Sequence, residues 1–120
     1  MQVSQLWHIF EFNYDCIQSD FKLLTEGRTS QLISETNACT NPENIFIEDG
    51  AKVEHAILNA STGPIYVGKN AEIMEGSIIR GSLAMCENSV IKMGAKIYGA
   101  TTLGPYCKVG GEVNNSVLLG

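Results

Sequence analysis

The sequence predicts an all-β fold, a parallel β-helix wound from six-residue units, and three observations carry that prediction. An apolar residue returns at every sixth position through Val67, Ile73, Ile79, Met85, Ile91, Ile97, Leu103 and Val109, and the series breaks at Asn115. A second series of small or apolar residues, Ala71, Ser77, Leu83, Ser89, Ala95, Thr101, Cys107, Val113 and Leu119, sits two positions before each next place in the first. Each unit therefore reads inward, outward, inward, as in Ala71-Glu72-Ile73, because side chains two apart share one face of a strand. The period is the third observation: six is not a multiple of 3.6, so no α-helix keeps one face at this spacing. Hexapeptide arrays are a solenoid signature.

Three strands and three bends close a triangular coil of eighteen residues, and Val67–Ala84, Met85–Thr102 and Leu103–Gly120 make three of them. An earlier coil begins at Ile47, continues through Val53 and slips by two residues around Ser61-Thr62-Gly63-Pro64. A Gly-Pro pair there calls for a bulge or corner insertion. Stacked coils pair as parallel strands and bury a column of Ile, Val and Leu, each contributing roughly 1.5–3 kcal/mol. A β-sandwich fits less well, since sandwich strands vary in length while this register holds over eight consecutive units.

Residues 1–44 read as a connector and residues 45–120 as the β-helix. The connector opens with the apolar cluster Leu6-Trp7-His8-Ile9-Phe10. Asn13 then caps a short helix carrying Tyr14, Ile17, Phe21 and Leu24 on one stripe, stopped by Gly27. So short a helix needs a surface to lie on. The stretch 25–44, rich in Ser, Thr and Asn with Pro42, reads as a linker or wrapping loop. Gly120 arrives as a coil finishes, so the chain reads as a fragment, or as one whose open end a partner covers, because solenoid ends expose strand edges.

Bulk properties exclude several classes. Eight basic against thirteen acidic residues give a net charge of −5 with no basic run, which argues against nucleic acid and anionic membranes as partners. The sequence contains neither an apolar run of membrane-spanning length nor a signal-peptide pattern, so the expected location is the cytoplasm. Cys16, Cys39, Cys86 and Cys107 show no metal-ligand spacing, and Cys107 takes a small inward position, where a thiol packs as a minor hydrophobe. No metal site is expected. A three-histidine metal centre of the hexapeptide carbonic anhydrase kind finds only His8 and His55, in the wrong places.

Longer stretches point further. Gly63-Pro-Ile-Tyr-Val-Gly-Lys-Asn-Ala-Glu-Ile-Met-Glu-Gly-Ser77 and Gly94-Ala-Lys-Ile-Tyr-Gly-Ala-Thr-Thr-Leu-Gly-Pro-Tyr-Cys-Lys-Val-Gly-Gly-Glu112 resemble the β-helix half of sugar-nucleotide enzymes. The similarity is to the bifunctional N-acetylglucosamine-1-phosphate uridylyltransferase and glucosamine-1-phosphate acetyltransferase family, in a Bacteroidetes-like form. Trp7-His8-Ile9-Phe10, Asp20-Phe21 and Leu24-Thr25-Glu26-Gly27-Arg28 resemble that family's connector between its two domains. The resemblance implies a left-handed helix, assembly as a homotrimer, and acetyl-CoA as co-substrate bound between neighbouring prisms. It further implies acetyl transfer to an amino-sugar phosphate in UDP-GlcNAc synthesis. The family's nucleotidyltransferase half, with its Gly-rich loop and Mg²⁺-binding acids, is not in this chain, and the resemblance implies that the acetyl-transfer histidine falls in a segment that would follow Gly120. The fragment alone is therefore expected to be inactive. The alternative is a non-catalytic β-helix used for oligomerisation or regulation.

Acetyl transfer needs a base for the amine proton, donors for the thioester oxygen and cations for the phosphate. No catalytic residue is identified within the chain, since His55 lies in the first, irregular coil and His8 in the leader. Lys108, Glu112, Asn114 and Asn115 stand in the last coil and are the candidate substrate-binding residues, Glu112 orienting the amine and Lys108 facing phosphate. Asn115 breaks the apolar series, the kind of local violation that functional sites produce. Arg80 and Lys92, twelve residues apart, fall on different sides of the prism and read as solvated charges. Ile78 and Val90 are apolar at outward positions and suggest a contact face.

Overall fold

The computed structural model describes residues 30–118. In chain order the strands are β1 (Ala38–Thr40), β2 (Ile45–Ile47), β3 (Lys52–Val53), β4 (Ile57–Asn59), β5 (Ile65–Val67), β6 (Glu72–Ile73) and β7 (Ile78–Arg80). They continue as β8 (Leu83–Met85), β9 (Val90–Ile91), β10 (Lys96–Tyr98), β11 (Thr101–Leu103), β12 (Lys108–Val109), β13 (Glu112–Asn114) and β14 (Val117–Leu118). One turn of 3₁₀ helix spans Pro42–Asn44. The strands stack into three parallel sheets, which we call A (β1-β4-β7-β10-β13), B (β2-β5-β8-β11-β14) and C (β3-β6-β9-β12). This is a parallel β-helix, as the six-residue period predicts.

The register explains why the period is so strict. Ile79 pairs with Ile97, Met85 with Leu103 and Ile73 with Ile91, so the large inward residues stack on their counterparts eighteen positions later. Ile65, Leu83, Ile79, Ile91 and Leu103 have no exposed surface. The small series fills the corners beside them. Ser77 and Ser89 are fully buried, yet each hydroxyl donates to a corner carbonyl, to Lys92 O at 3.0 Å and to Cys86 O at 2.7 Å. A buried polar group costs little once it is paired in this way. Cys107 occupies its inward place as a buried free thiol.

Corners are set by left-handed residues. Gly50, Asn70, Asn88 and Tyr106 all have positive φ and stack at the bend between sheets B and C. His55, Gly76, Gly94 and Gly111 do the same between sheets C and A. The amide of Asn88 donates to Lys69 O at 3.0 Å and that of Gly94 to Glu75 O at 3.2 Å, so the bends form ladders of their own.

The spacing departs from eighteen residues toward both ends of the prism. Ile47 pairs with Val67, twenty residues on, and Leu58 with Ile79, twenty-one on, which accommodates the bend around Ser61–Pro64. The last coil is shorter than the sequence period suggests. Lys96 pairs with Glu112 after sixteen residues and Leu103 with Leu118 after fifteen. Gly110-Gly111 tightens one corner and Asn115, at φ 46°, tightens the next. Val113, not Asn115, therefore takes the large inward position and pairs with Ile97.

The ladder begins at Ala38, ahead of the boundary expected at Ile45, because β1 pairs with β4. Just before it, residues 30–37 clasp the end of the prism with side chains. Gln31 Nε2 donates to Ala51 O at 3.0 Å, Asn37 Nδ2 donates to Val53 O at 2.8 Å, and Asn37 Oδ1 accepts from the Ala56 amide at 2.9 Å. These amides do for the edge of sheet C what another strand would do, blunting it against further pairing. The short helix expected after Asn13, the Trp7–Phe10 cluster, His8 and Leu119–Gly120 lie outside the described residues.

Candidate functional site

The outer face of sheet A carries apolar, cationic, phenolic and acidic side chains. Outward positions there alternate with buried ones along each strand, as in Ile78-Ile79-Arg80 and Lys96-Ile97-Tyr98. Ile78 lies beside Lys96, and Lys96 beside Glu112, in adjacent strands of the ladder. Tyr98 sits beside Asn114 in the same way. A groove of about 310 Å³ runs across these strands, lined by Ile78, Arg80, Lys96, Ile97, Tyr98 and Glu112. A second hollow of about 290 Å³ adjoins it at the corner toward sheet B and shares Arg80 and Tyr98, with Thr62, Ser82 and Asn115 on its walls.

The Tyr98 hydroxyl donates to Glu112 Oε1. That bond, with a smaller effect of burial and of the carboxylate's charge, raises the Tyr98 pKa above the ordinary phenol value. The bond favours the protonated phenol and ties Glu112 to the preceding coil. Between neighbouring strands, roughly 4.8 Å apart, the face sets two cations, Arg80 and Lys96, near one carboxylate over an apolar floor.

The candidate residues of the last coil divide by sheet. Glu112 and Asn114 lie on the outer face of sheet A, in β13, whereas Lys108 is an exposed residue of β12 in sheet C, paired with Val90. Lys108 and Glu112 therefore project from different sides of the prism. Asn115 is a corner residue, and its Oδ1 accepts the Ala100 amide proton at 2.8 Å. Its break in the apolar series is explained by this cap. A Cβ on Gly99, whose φ is +74°, would collide with the same Oδ1, so the glycine and the asparagine form one corner.

Sequence spacing missed Arg80, Lys96 and Tyr98. Arg80 was compared with Lys92, twelve residues on, but the informative neighbours lie in the next coil, at sixteen and eighteen. Ile78 and Val90 belong to sheets A and C, so they form no common face, and the apolar neighbour of Ile78 is Ile57. Ile57 and Ile78 are 48% and 42% exposed. His55 is at a corner three strands from β13, its amide donating to Thr36 Oγ1 at 3.0 Å. Burial raises the thiol pKa of Cys39 and of Cys86, which disfavours the nucleophilic thiolate. Among the described residues no group of three or more His, Cys, Asp or Glu is placed to hold a metal ion. No helix among them is long and apolar enough to cross a membrane.

No protein-family model, curated protein or solved structure matches the chain.

Proposed function

We propose that the chain is the β-helix portion of a sugar-nucleotide biosynthesis transferase, which in the complete protein moves an acetyl group from acetyl-CoA to an amino-sugar phosphate. The observation that supports this reading is where the two family-like stretches fall. Gly63–Ser77 runs along β5 and β6, and Gly94–Glu112 runs from β10 into β13, with Lys96, Tyr98 and Glu112 reaching one groove. On this reading Glu112 orients the amine of the acceptor. Lys108, on another side of the prism, faces a different molecule or a neighbouring copy. A left-handed winding, homotrimeric assembly and acetyl-CoA held between prisms belong to the same proposal.

Calorimetric titration of acetyl-CoA into the protein, with its oligomeric state fixed by sedimentation, tests the co-substrate. Saturable binding to an assembled species is expected, and a folded trimer that takes up no acetyl-CoA would contradict it. The second reading is a non-catalytic assembly or regulatory module, favoured by the stacked, exposed Ile57 and Ile78 on sheet A. A trimer that loses assembly on Ile78→Asp and takes up no acetyl-CoA would select it.

A further inference from the structure

We infer that the outer face of sheet B is the seat of the chain's own leader, with the apolar stripe Tyr14, Ile17, Phe21 and Leu24 lying across its strands. The three outer faces differ in charge. Outward strand positions carry Arg80, Lys96 and Glu112 on sheet A, and Lys52, Glu72 and Lys108 on sheet C. On sheet B they are Phe46, Tyr66, Ala84, Thr102 and Val117, none of them charged. Glu48, at the corner beside them, accepts from the Tyr66 hydroxyl.

Burial marks this face as covered. Phe46 stands between Ile45 and Ile47, both members of the core cluster, so its ring projects outward from the prism and lies outside that cluster. Yet it is only 4% exposed. Tyr66 stacks on it, with ring centroids 6.0 Å apart, and a stacked neighbour shields one face of a ring only. Tyr66, Ala84 and Thr102 are half-buried, and Ser82 and Ala100, at the border with sheet A, are buried. On sheet A, by contrast, Ile57 and Ile78 stay exposed although they lie side by side. Val117, on the last strand of sheet B, is 39% exposed, so the cover ends before it.

Connection and length select the leader. Ser30 Oγ accepts from the Ile47 amide at 2.9 Å and the Gln31 amide donates to Ile47 O at 2.8 Å, so the chain reaches the prism one residue from Phe46. The stretch ahead of Ser30, with its stripe, lies outside the described residues. As a helix it sets Tyr14 and Leu24 about 15 Å apart, at ~1.5 Å per residue. Phe46 to Thr102 covers three strand spacings, roughly 14 Å at about 4.8 Å each. The link from Leu24 to Ser30 reaches about 20 Å when extended, enough to put Leu24 over Phe46 and Tyr14 toward Thr102. A one-sided apolar helix is stable only against such a surface.

The test is a nuclear Overhauser experiment on the full chain, ¹³C-labelled and then mixed with unlabelled chain. Contacts from the Ile17 and Leu24 methyls to the Phe46 and Tyr66 rings are expected, within one chain. Phe21→Asp should abolish them and raise the fluorescence of bound anilinonaphthalenesulfonate severalfold as the face is uncovered, with the core amide shifts unchanged. Ser19→Asp, on the opposite side of the same helix, should do neither. Absence of these contacts in the unsubstituted chain would overturn the proposal, as would dye binding equally strong before and after Phe21→Asp. Contacts arising only between labelled and unlabelled chains would overturn it too, and would assign the face to a second copy.

Discussion

Asn115 Oδ1 accepts the amide proton of Ala100 at 2.8 Å, so the residue that interrupts the hexapeptide series is the one that closes the corner of the last complete coil. A broken repeat here marks a tightened turn, and the fifteen-residue spacing between Leu103 and Leu118 follows from it. Asn115→Ala removes the side-chain oxygen that accepts from the Ala100 amide and places alanine at positive φ. We expect a loss of roughly 1–3 kcal/mol, read from urea unfolding. Asn115→Gly keeps the turn geometry and separates the lost bond from the backbone term.

Tyr106 occupies the corner position that Asn70 and Asn88 occupy in the coils before it, with φ 62° and 69% of its surface exposed. Left-handed backbone costs an ordinary L-residue roughly 1–2 kcal/mol, a penalty that asparagine reduces. Tyr106→Asn should therefore raise the urea midpoint. A fall would show that the tyrosine ring contributes more than its backbone costs.

Tyr98 should titrate above free tyrosine because its hydroxyl serves Glu112. Glu112→Gln should bring the titration back toward the ordinary value, followed by ¹³C shifts of the tyrosine Cζ. The sign for stability follows: with the folded value raised, the contribution is complete below the ordinary phenol value and is lost as pH rises through the folded one. An unchanged Tyr98 titration in the variant would contradict the bond.

At the other end, Glu54 accepts from Ser34 Oγ at 2.7 Å and Thr36 Oγ1 at 2.5 Å, and these bonds lower its pKa, with a small contribution from His55. A depressed carboxylate stabilises above its unfolded value and loses that contribution as pH falls through the folded value. The protection factor of the His55 amide, which donates to Thr36 Oγ1, should drop over that acid window. Glu54→Gln should remove the pH dependence.

The period of six carried the architecture because Ile79, Ile97 and their neighbours must stack on one another, and any other spacing would expose them. Ile97→Ala should cost roughly 2–5 kcal/mol, as expected for a side chain with 1% of its surface exposed. What the period does not encode is a change in coil length. The shortened last coil moves Val113 from the small inward place to the large one and brings Glu112 beside Lys96, a pairing that the eighteen-residue rule assigns to Asn114. The place of Glu112 in the groove was illegible for that reason, and Lys108, close in sequence, was separated from Glu112 by a corner. Nor did composition show that Asn37 and Gln31, polar residues of an apparent linker, would clasp the edge of sheet C.

The most direct test of the functional reading is thiol release from acetyl-CoA with glucosamine-1-phosphate, run on the complete protein beside its Glu112→Gln variant. The account predicts steady release by the complete protein and a loss of about tenfold or more in the variant, with the fold intact. Silence from a folded oligomer would contradict acetyl transfer, and an unchanged rate in the variant would contradict the role given to Glu112.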